Sequence, residues 1–161
     1  MKNNNTVTIK EIQEWQVRNF PNALPHQPLL GMVEECGELL ESTNNEQLED
    51  AIGDVLIFMS HYIALNHLDI SYCFIGRPPK GQNLIANLGA LCHAHLKGEQ
   101  KIRGTEAESQ EKKVYALVEI LCDLAHFANG LGKTSQECLE SAWKEVKKRD
   151  WIKFPGDGKT I

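Results

Sequence analysis

The chain has 161 residues, of which 42% are hydrophobic and 24% charged, and its 17 basic and 22 acidic side chains give a net charge of −5. This length and composition are typical of one soluble globular domain with a real core. The apolar runs are too short for a membrane span, the first ten residues lack the apolar core of a signal peptide, and the five cysteines form no C-x-x-C pair, so we expect a cytoplasmic protein without disulfides.

Helical periodicity runs through nearly the whole chain. It predicts helices over about 6–20, 29–41, 46–65, 82–97, 110–130 and 134–149. No convincing strand pattern appears. The fold class predicted is therefore all-α, a helical bundle of about six helices.

We expect a single all-α domain over residues 1–161 with internal subdivisions. These are a first unit at 8–75, a linker at 76–81 (GRPPKG), a second unit at 82–150 and an irregular tail at 151–161.

The two predicted units share a faint internal similarity. ECGEL (35–39) can be laid over NLGAL (87–91), and DAIGDVLIF (50–58) over EILCDLAHF (119–127). In this alignment the second unit has lost two carboxylates, at Asn87 and Ala90. Chance similarity between amphipathic helices is the alternative. The alignment predicts a tandem repeat whose second copy is degenerate and packs on the first as a pseudo-dimer.

Acidic residues are concentrated in the second and third predicted helices. Residues 19–76 hold nine carboxylates and no Lys or Arg, whereas 77–161 hold 14 bases and 11 acids. Such a block does not bind a nucleic-acid backbone, but it can bind cations. Two glycines within these helices, Gly37 and Gly53, suggest a close approach of the pair.

Helical spacing places these acids on facing stripes. Glu34 and Glu38 are i, i+4 neighbours with Glu35 beside them, and Asp50 and Asp54 are i, i+4 neighbours on the next helix. If the two helices pack antiparallel, the acids converge. The residues alone leave two interpretations open: a solvated acidic face, or a site for a hard divalent cation such as Mg²⁺.

The segments EECGEL and DAIGDVLIFM resemble the MazG-like, all-α nucleotide pyrophosphohydrolases, whose pattern is E-E-x-x-E followed by E-x-x-D on the next helix. Glu34, Glu35 and Glu38 match the first motif, and Asp54 matches the end of the second. Ala51 stands where the family has its second Glu.

The resemblance implies an enzyme that uses Mg²⁺, or Mn²⁺, to hydrolyse a nucleoside triphosphate or deoxynucleoside triphosphate to the monophosphate and pyrophosphate. It implies catalytic roles for Glu34, Glu35, Glu38 and Asp54. The implied metal ligands are Glu35, Glu38, Asp50 and Asp54, with Asp50 replacing the missing Glu. We expect no nucleic-acid or membrane partner, and a homodimer is possible. The alternative, favoured by Ala51, is a catalytically weak nucleotide-binding, metal-binding or assembly protein of the same fold.

A triphosphate also needs cationic partners, and most of the bases lie in the second half. The sequence predicts Lys97, Lys101 and Arg103 as substrate-binding residues, carried to the acidic site by packing of the two units. Further bases lie in WKEVKKRD, namely Lys144, Lys147, Lys148 and Arg149.

Overall fold

The computed structural model describes residues 6–70 and 83–159. Within these residues the chain forms six α-helices and no β-strand. The helices are α1 (Ile9–Asn19), α2 (Gln27–Glu41), α3 (Asn45–Leu65), α4 (Leu84–Glu99), α5 (Glu106–Gly130) and α6 (Ser135–Val146). The predicted all-α fold is confirmed, and the predicted linker at 76–81 lies outside the described residues.

Side-chain caps determine where several helices begin. Thr8 and Asn44 accept hydrogen bonds from backbone amides in the first turns of α1 and α3. α5 begins at Glu106, four residues before the predicted start, because Thr105 and Glu108 form a reciprocal capping box there.

Four helices enclose the main core. α2 packs along α3, and α4 packs along α5. The two pairs meet through contacts of α2 with α4 and of α3 with α5, over a continuous cluster of buried side chains that includes Met32, Ile52, Tyr62, Leu91 and Leu117. Whether the two pairs arose by duplication, or are related by a two-fold axis, stays a prediction.

α1 and α6 form a second, smaller core on another face of α3. Trp15 and Trp143 pack edge to face with ring centroids 5.7 Å apart. Gln16 Nε2 donates a 2.7 Å hydrogen bond to the carbonyl of Ile57 inside this core. α3 is therefore a central helix that contributes to both cores, which explains why its sequence is apolar on nearly every side.

The glycines serve different helix contacts from those predicted. A Cβ on Gly53 would lie 2.5 Å from Ala142 Cβ and 2.6 Å from the carbonyl oxygen of Cys138, so this glycine allows α6, not α2, to approach α3. A Cβ on Gly37 would have no neighbouring atom within 4 Å. The close approach of α2 to α3 occurs instead at Gly31, which faces the ring of Phe58.

Among the described helices, none alone has both the length and the apolar composition of a membrane span; α5 and α6 satisfy these criteria only when taken together, and they are bent by 88°.

Candidate acidic site between α2 and α3

The predicted carboxylates lie along the contact between α2 and α3. Glu34, Glu35 and Glu38 lie on α2, and Asp50 and Asp54 lie on α3. The two helices run antiparallel, as the pairing of Gly31 with Phe58 and the coupling of Glu35 with Asp54 require. The structure thus brings together the five acids that the sequence predicted to converge.

These acids differ in exposure. Glu35 and Asp54 are half-buried, whereas Glu34, Glu38 and Asp50 are exposed. Glu35 and Asp54 are the less accessible pair, and Asp54 is the carboxylate that acts most strongly on Glu35. This inner and outer arrangement could not be deduced from helical spacing alone.

Burial and mutual repulsion disfavour the charged forms of the inner pair. Burial raises the pKa of Glu35 to about 8, and the charges of Asp54, Glu38, Glu34 and Asp50 add to the rise in that order. Burial likewise raises the pKa of Asp54 to about 6, with Asp50 as the largest carboxylate contribution. A cation placed between the two helices would relieve both effects.

Among the described residues, Arg149 acts on Asp54. Its positive charge lowers the pKa of Asp54 and so opposes the burial effect. The residue follows α6 in the chain, and its carbonyl accepts a 3.2 Å hydrogen bond from Trp15 Nε1. Its guanidinium carbon lies 5.9 Å from the ring centroid of Trp151. Arg149 was one of several bases that the sequence offered, and no feature of the sequence singled it out.

Glu49 belongs to a different set of contacts. Its carboxylate forms an ion pair with Lys133, and hydrogen bonds with Lys133 and Ser141 lower its pKa. It therefore faces α6, on another side of α3 from the acidic site. The helical spacing had placed Asp50, rather than Glu49, beside Asp54, and the structure agrees.

The predicted substrate-binding bases do not join the acids. Lys97, Lys101 and Arg103 line a cavity that also contains Asn66 at the end of α3. Asn66 follows Asp54 by twelve positions, or about 18 Å along a helix axis. The packing of α4 and α5 against α2 and α3 therefore carries these bases to the other end of the bundle.

The second helix pair contributes two buried acids that the predicted site omitted. Glu119 and Asp123 are 5% and 2% exposed on α5. Asn87 Nδ2 donates a 2.7 Å hydrogen bond to Asp123 Oδ2. The charges of Glu35 and Asp123 both raise the pKa of the buried Cys36 thiol, after burial itself, so both carboxylates lie near one sulfur atom. The internal alignment, in which these acids match Asp50 and Asp54, was the signal that could have identified them.

The oxygen ligands of this site suit a hard cation, although the side chains are not arranged to coordinate one. Within residues 6–70 and 83–159, no group of three or more His, Cys, Asp or Glu side chains is positioned to hold a metal ion. Carboxylate oxygens are nevertheless the ligands that Mg²⁺ prefers, and a bound cation would offset the burial and the carboxylate repulsion that raise the pKa values of Glu35 and Asp54. Ion binding would thus require side-chain rotation of the exposed acids toward the inner pair.

Comparison of the chain with protein-family models, with curated proteins and with solved structures finds no match.

Proposed function

We propose that the chain is a Mg²⁺-dependent nucleoside triphosphate pyrophosphohydrolase of the MazG-like kind. The observation that carries the proposal is the convergence of five carboxylates on two packed helices, with the inner pair half-buried and Arg149 as the opposing charge. A solvated acidic face would not place Glu35 and Asp54 in the helix contact, where burial penalises their charge.

The residues divide into roles by their exposure. Glu35 and Asp54, together with Glu38 and Asp50, would hold the ion. When bound, Mg²⁺ supplies a Lewis acid for the phosphoryl oxygens. Glu34 is exposed next to Glu35 on α2 and would orient or deprotonate the attacking water. Arg149 would orient a phosphate, because a guanidinium can donate two parallel hydrogen bonds to it.

One feature favours the alternative of a catalytically weak binding protein. Ala51, at the position of the missing Glu, is 4% exposed and belongs to the main core. The chain therefore lacks an inward-facing ligand that the MazG-like pattern has, and the exposed Asp50 must replace it. A protein that lacks this ligand would bind a metal or a nucleotide but would hydrolyse the nucleotide slowly.

Pyrophosphate release from a panel of ribonucleoside and deoxynucleoside triphosphates, with Mg²⁺ or with EDTA, tests the proposal. We expect Mg²⁺-dependent release by the unaltered protein and its loss in Glu38→Gln, whose exposed side chain can be changed without disturbing the core. Glu14→Gln is the matched control, since Glu14 is an exposed acid on α1.

Calorimetric titration with Mn²⁺ on the same variants separates the two functions. Metal binding that needs Glu38, without pyrophosphate release from any triphosphate, would establish the weak-binding alternative. Full activity in Glu38→Gln would refute the site itself.

A further inference from the structure

A second candidate site lies at the far end of the bundle from the acidic helices. Here α3 and α4 end and α5 begins, and their ends, with residues 66–67 and 101–105, line a cavity of about 740 Å³. This volume lies within the range of sites that hold small molecules. None of the five acids of the α2–α3 site is among its lining residues.

The cavity wall is predominantly cationic. Its bases are Lys97, Lys101, Arg103, Lys112 and Lys113, and its acids are Glu99 and Glu106. Glu99 Oε1 lies 3.3 Å from His95 Nε2 and 3.8 Å from His26 Nδ1. Within the described part of the chain, Lys101, Arg103 and Lys112 form no ion pair. The lining therefore carries more basic than acidic side chains, although Glu99 and Glu106 act on Lys113, and Lys112 acts on Glu108.

Two of the polar side chains at this wall are held by burial. Lys113 is 7% exposed, and its Nζ donates a 3.3 Å hydrogen bond to Asn66 Oδ1. His95 is 4% exposed, with Nδ1 3.0 Å from the hydroxyl of Tyr62. Polar groups that are already fixed in the folded chain lose little conformational entropy when a ligand binds, which favours a binding site over a basic surface with mobile side chains.

Residues with left-handed backbone are concentrated at the same cavity. Three non-glycine residues in the described ranges have positive φ, namely His67 (52°), Lys101 (54°) and Arg103 (61°). All three line this cavity. His67 and Lys101 directly follow the C-caps of α3 and α4, where a left-handed residue closes the last helical turn: the amide of Leu68 donates to the carbonyl of Ile63, and the amide of Ile102 donates to that of Lys97. Two of the three, Lys101 and Arg103, are bases of the cavity and lie in the connection between α4 and α5.

We propose that this cavity is a binding site for a compact polyanion that carries two or more phosphate groups. Five bases against two acids match the charge of a diphosphate or triphosphate better than that of a single carboxylate. Arg103 can bind a phosphate with two parallel hydrogen bonds, and the lysines act as point charges around it. The inference does not depend on the proposed hydrolase activity, since it concerns different residues at the other end of the molecule.

Calorimetric titration of the full chain with tripolyphosphate in EDTA tests the inference. EDTA removes divalent cations, so the acidic site repels the probe and does not contribute. The variants are Lys101→Asn and Arg103→Asn, because Asn tolerates positive φ and the loss of charge is then separated from a change in backbone strain. Lys10→Ala is the control, as Lys10 is an exposed base on α1 with its side chain 85% accessible.

We expect saturable binding with one site per chain. Each Asn variant should weaken it by about fivefold or more while its melting temperature stays close to that of the unaltered protein, whereas Lys10→Ala should change it by less than about twofold. Absence of saturable binding would overturn the inference. So would equal weakening by Lys10→Ala, which would indicate a non-specific charge effect. Loss of binding in Glu38→Gln but not in Lys101→Asn would place the anion at the acidic site and would also refute the inference.

Discussion

Glu35 is a carboxyl group that the folded chain prefers to keep protonated. Its pKa is about 8 in the folded protein against an ordinary value of 4.5, with burial as the main cause. The folded chain therefore binds this proton more tightly than the unfolded chain does. The stabilisation that results is complete below about pH 4.5 and is lost as the pH rises through about 8. Protonation of Asp54 stabilises the folded chain in the same way, and this stabilisation is lost as the pH rises through about 6.

The metal-free protein should accordingly lose stability between pH 5 and 8, and Glu35→Gln should reduce that loss. At pH 8 the variant should melt higher, by roughly 2–4 °C for each kcal/mol of relieved burial and repulsion. Thermal melts in EDTA at several pH values measure this effect. The comparison between the two proteins cancels the contribution of His61 and His95, whose pKa values burial lowers. Parallel pH curves for the two proteins would contradict the assigned titration.

The neighbours Glu49 and Asp50 should have opposite importance for turnover. Glu49 is paired with Lys133 on the α6 side, whereas Asp50 acts on Asp54. We expect Asp50→Asn to lower kcat/KM for pyrophosphate release by about tenfold or more, and Glu49→Gln by less than about twofold. Glu49→Gln should instead lower the melting temperature slightly. Similar kinetic losses in both variants would show that Asp50 does not replace the carboxylate missing at Ala51.

At the scale of the helices, the packing of α6 on α3 depends on the absence of a side chain at Gly53. Gly53→Ala should reduce the free energy of unfolding by about 1–3 kcal/mol, because its methyl group would overlap Ala142 and the carbonyl of Cys138. Gly37→Ala is the matched control in α2. It has free space around it and should raise the free energy of unfolding, by up to about 1 kcal/mol, through helix propensity. Urea denaturation measures both, and a stabilised Gly53→Ala would contradict the contact.

The helices themselves were largely predictable, because their signals are local. Apolar spacing gave the order of all six, and cap residues such as Thr8, Asn44 and Thr134 mark their starts. The start of α5 was missed because its first turn is polar on every side and only the Thr105–Glu108 pair identifies it. The role of Gly53 was wrong because a sequence does not say which neighbouring helix a glycine will face.

The acidic site was predictable in part for the same reason. Its five acids lie on two consecutive helices, so spacing and a short turn suffice to bring them together. The positions of Arg149 and of the bases at 97, 101 and 103 depend on how distant helices pack. The sequence predicted the latter three beside the acids, whereas the structure has them at the cavity near Asn66 and has Arg149 near Asp54. Helical spacing in the sequence thus identified the acids of the site, whereas the position of Arg149 depends on tertiary packing.

At the scale of the whole molecule, the packing predicts which base serves the acids. Arg149→Ala should lower kcat/KM for pyrophosphate release by about tenfold, whereas Lys97→Ala, at the other end of the bundle, should change it by less than about twofold. Because Arg149 lowers the pKa of Asp54, its removal should also move the acidic limb of the pH–rate profile upward. A large effect of Lys97→Ala with none of Arg149→Ala would contradict the arrangement.

The contacts that fix the position of Arg149 also bear on the stage of folding at which it packs beside the acids. Its carbonyl is bound by Trp15 across 134 residues of sequence, and the amide of Trp151 donates to Asn19 Oδ1 across 132. Closing such long loops costs more entropy than joining α2 to α3 through their short turn. We therefore expect α2 and α3 to bring the carboxylates together before Arg149 packs beside them, so that the early stages of folding include an uncompensated repulsion. We therefore expect a low pH or a divalent cation to speed the folding reaction itself, which stopped-flow refolding in EDTA or Mg²⁺ at several pH values would measure.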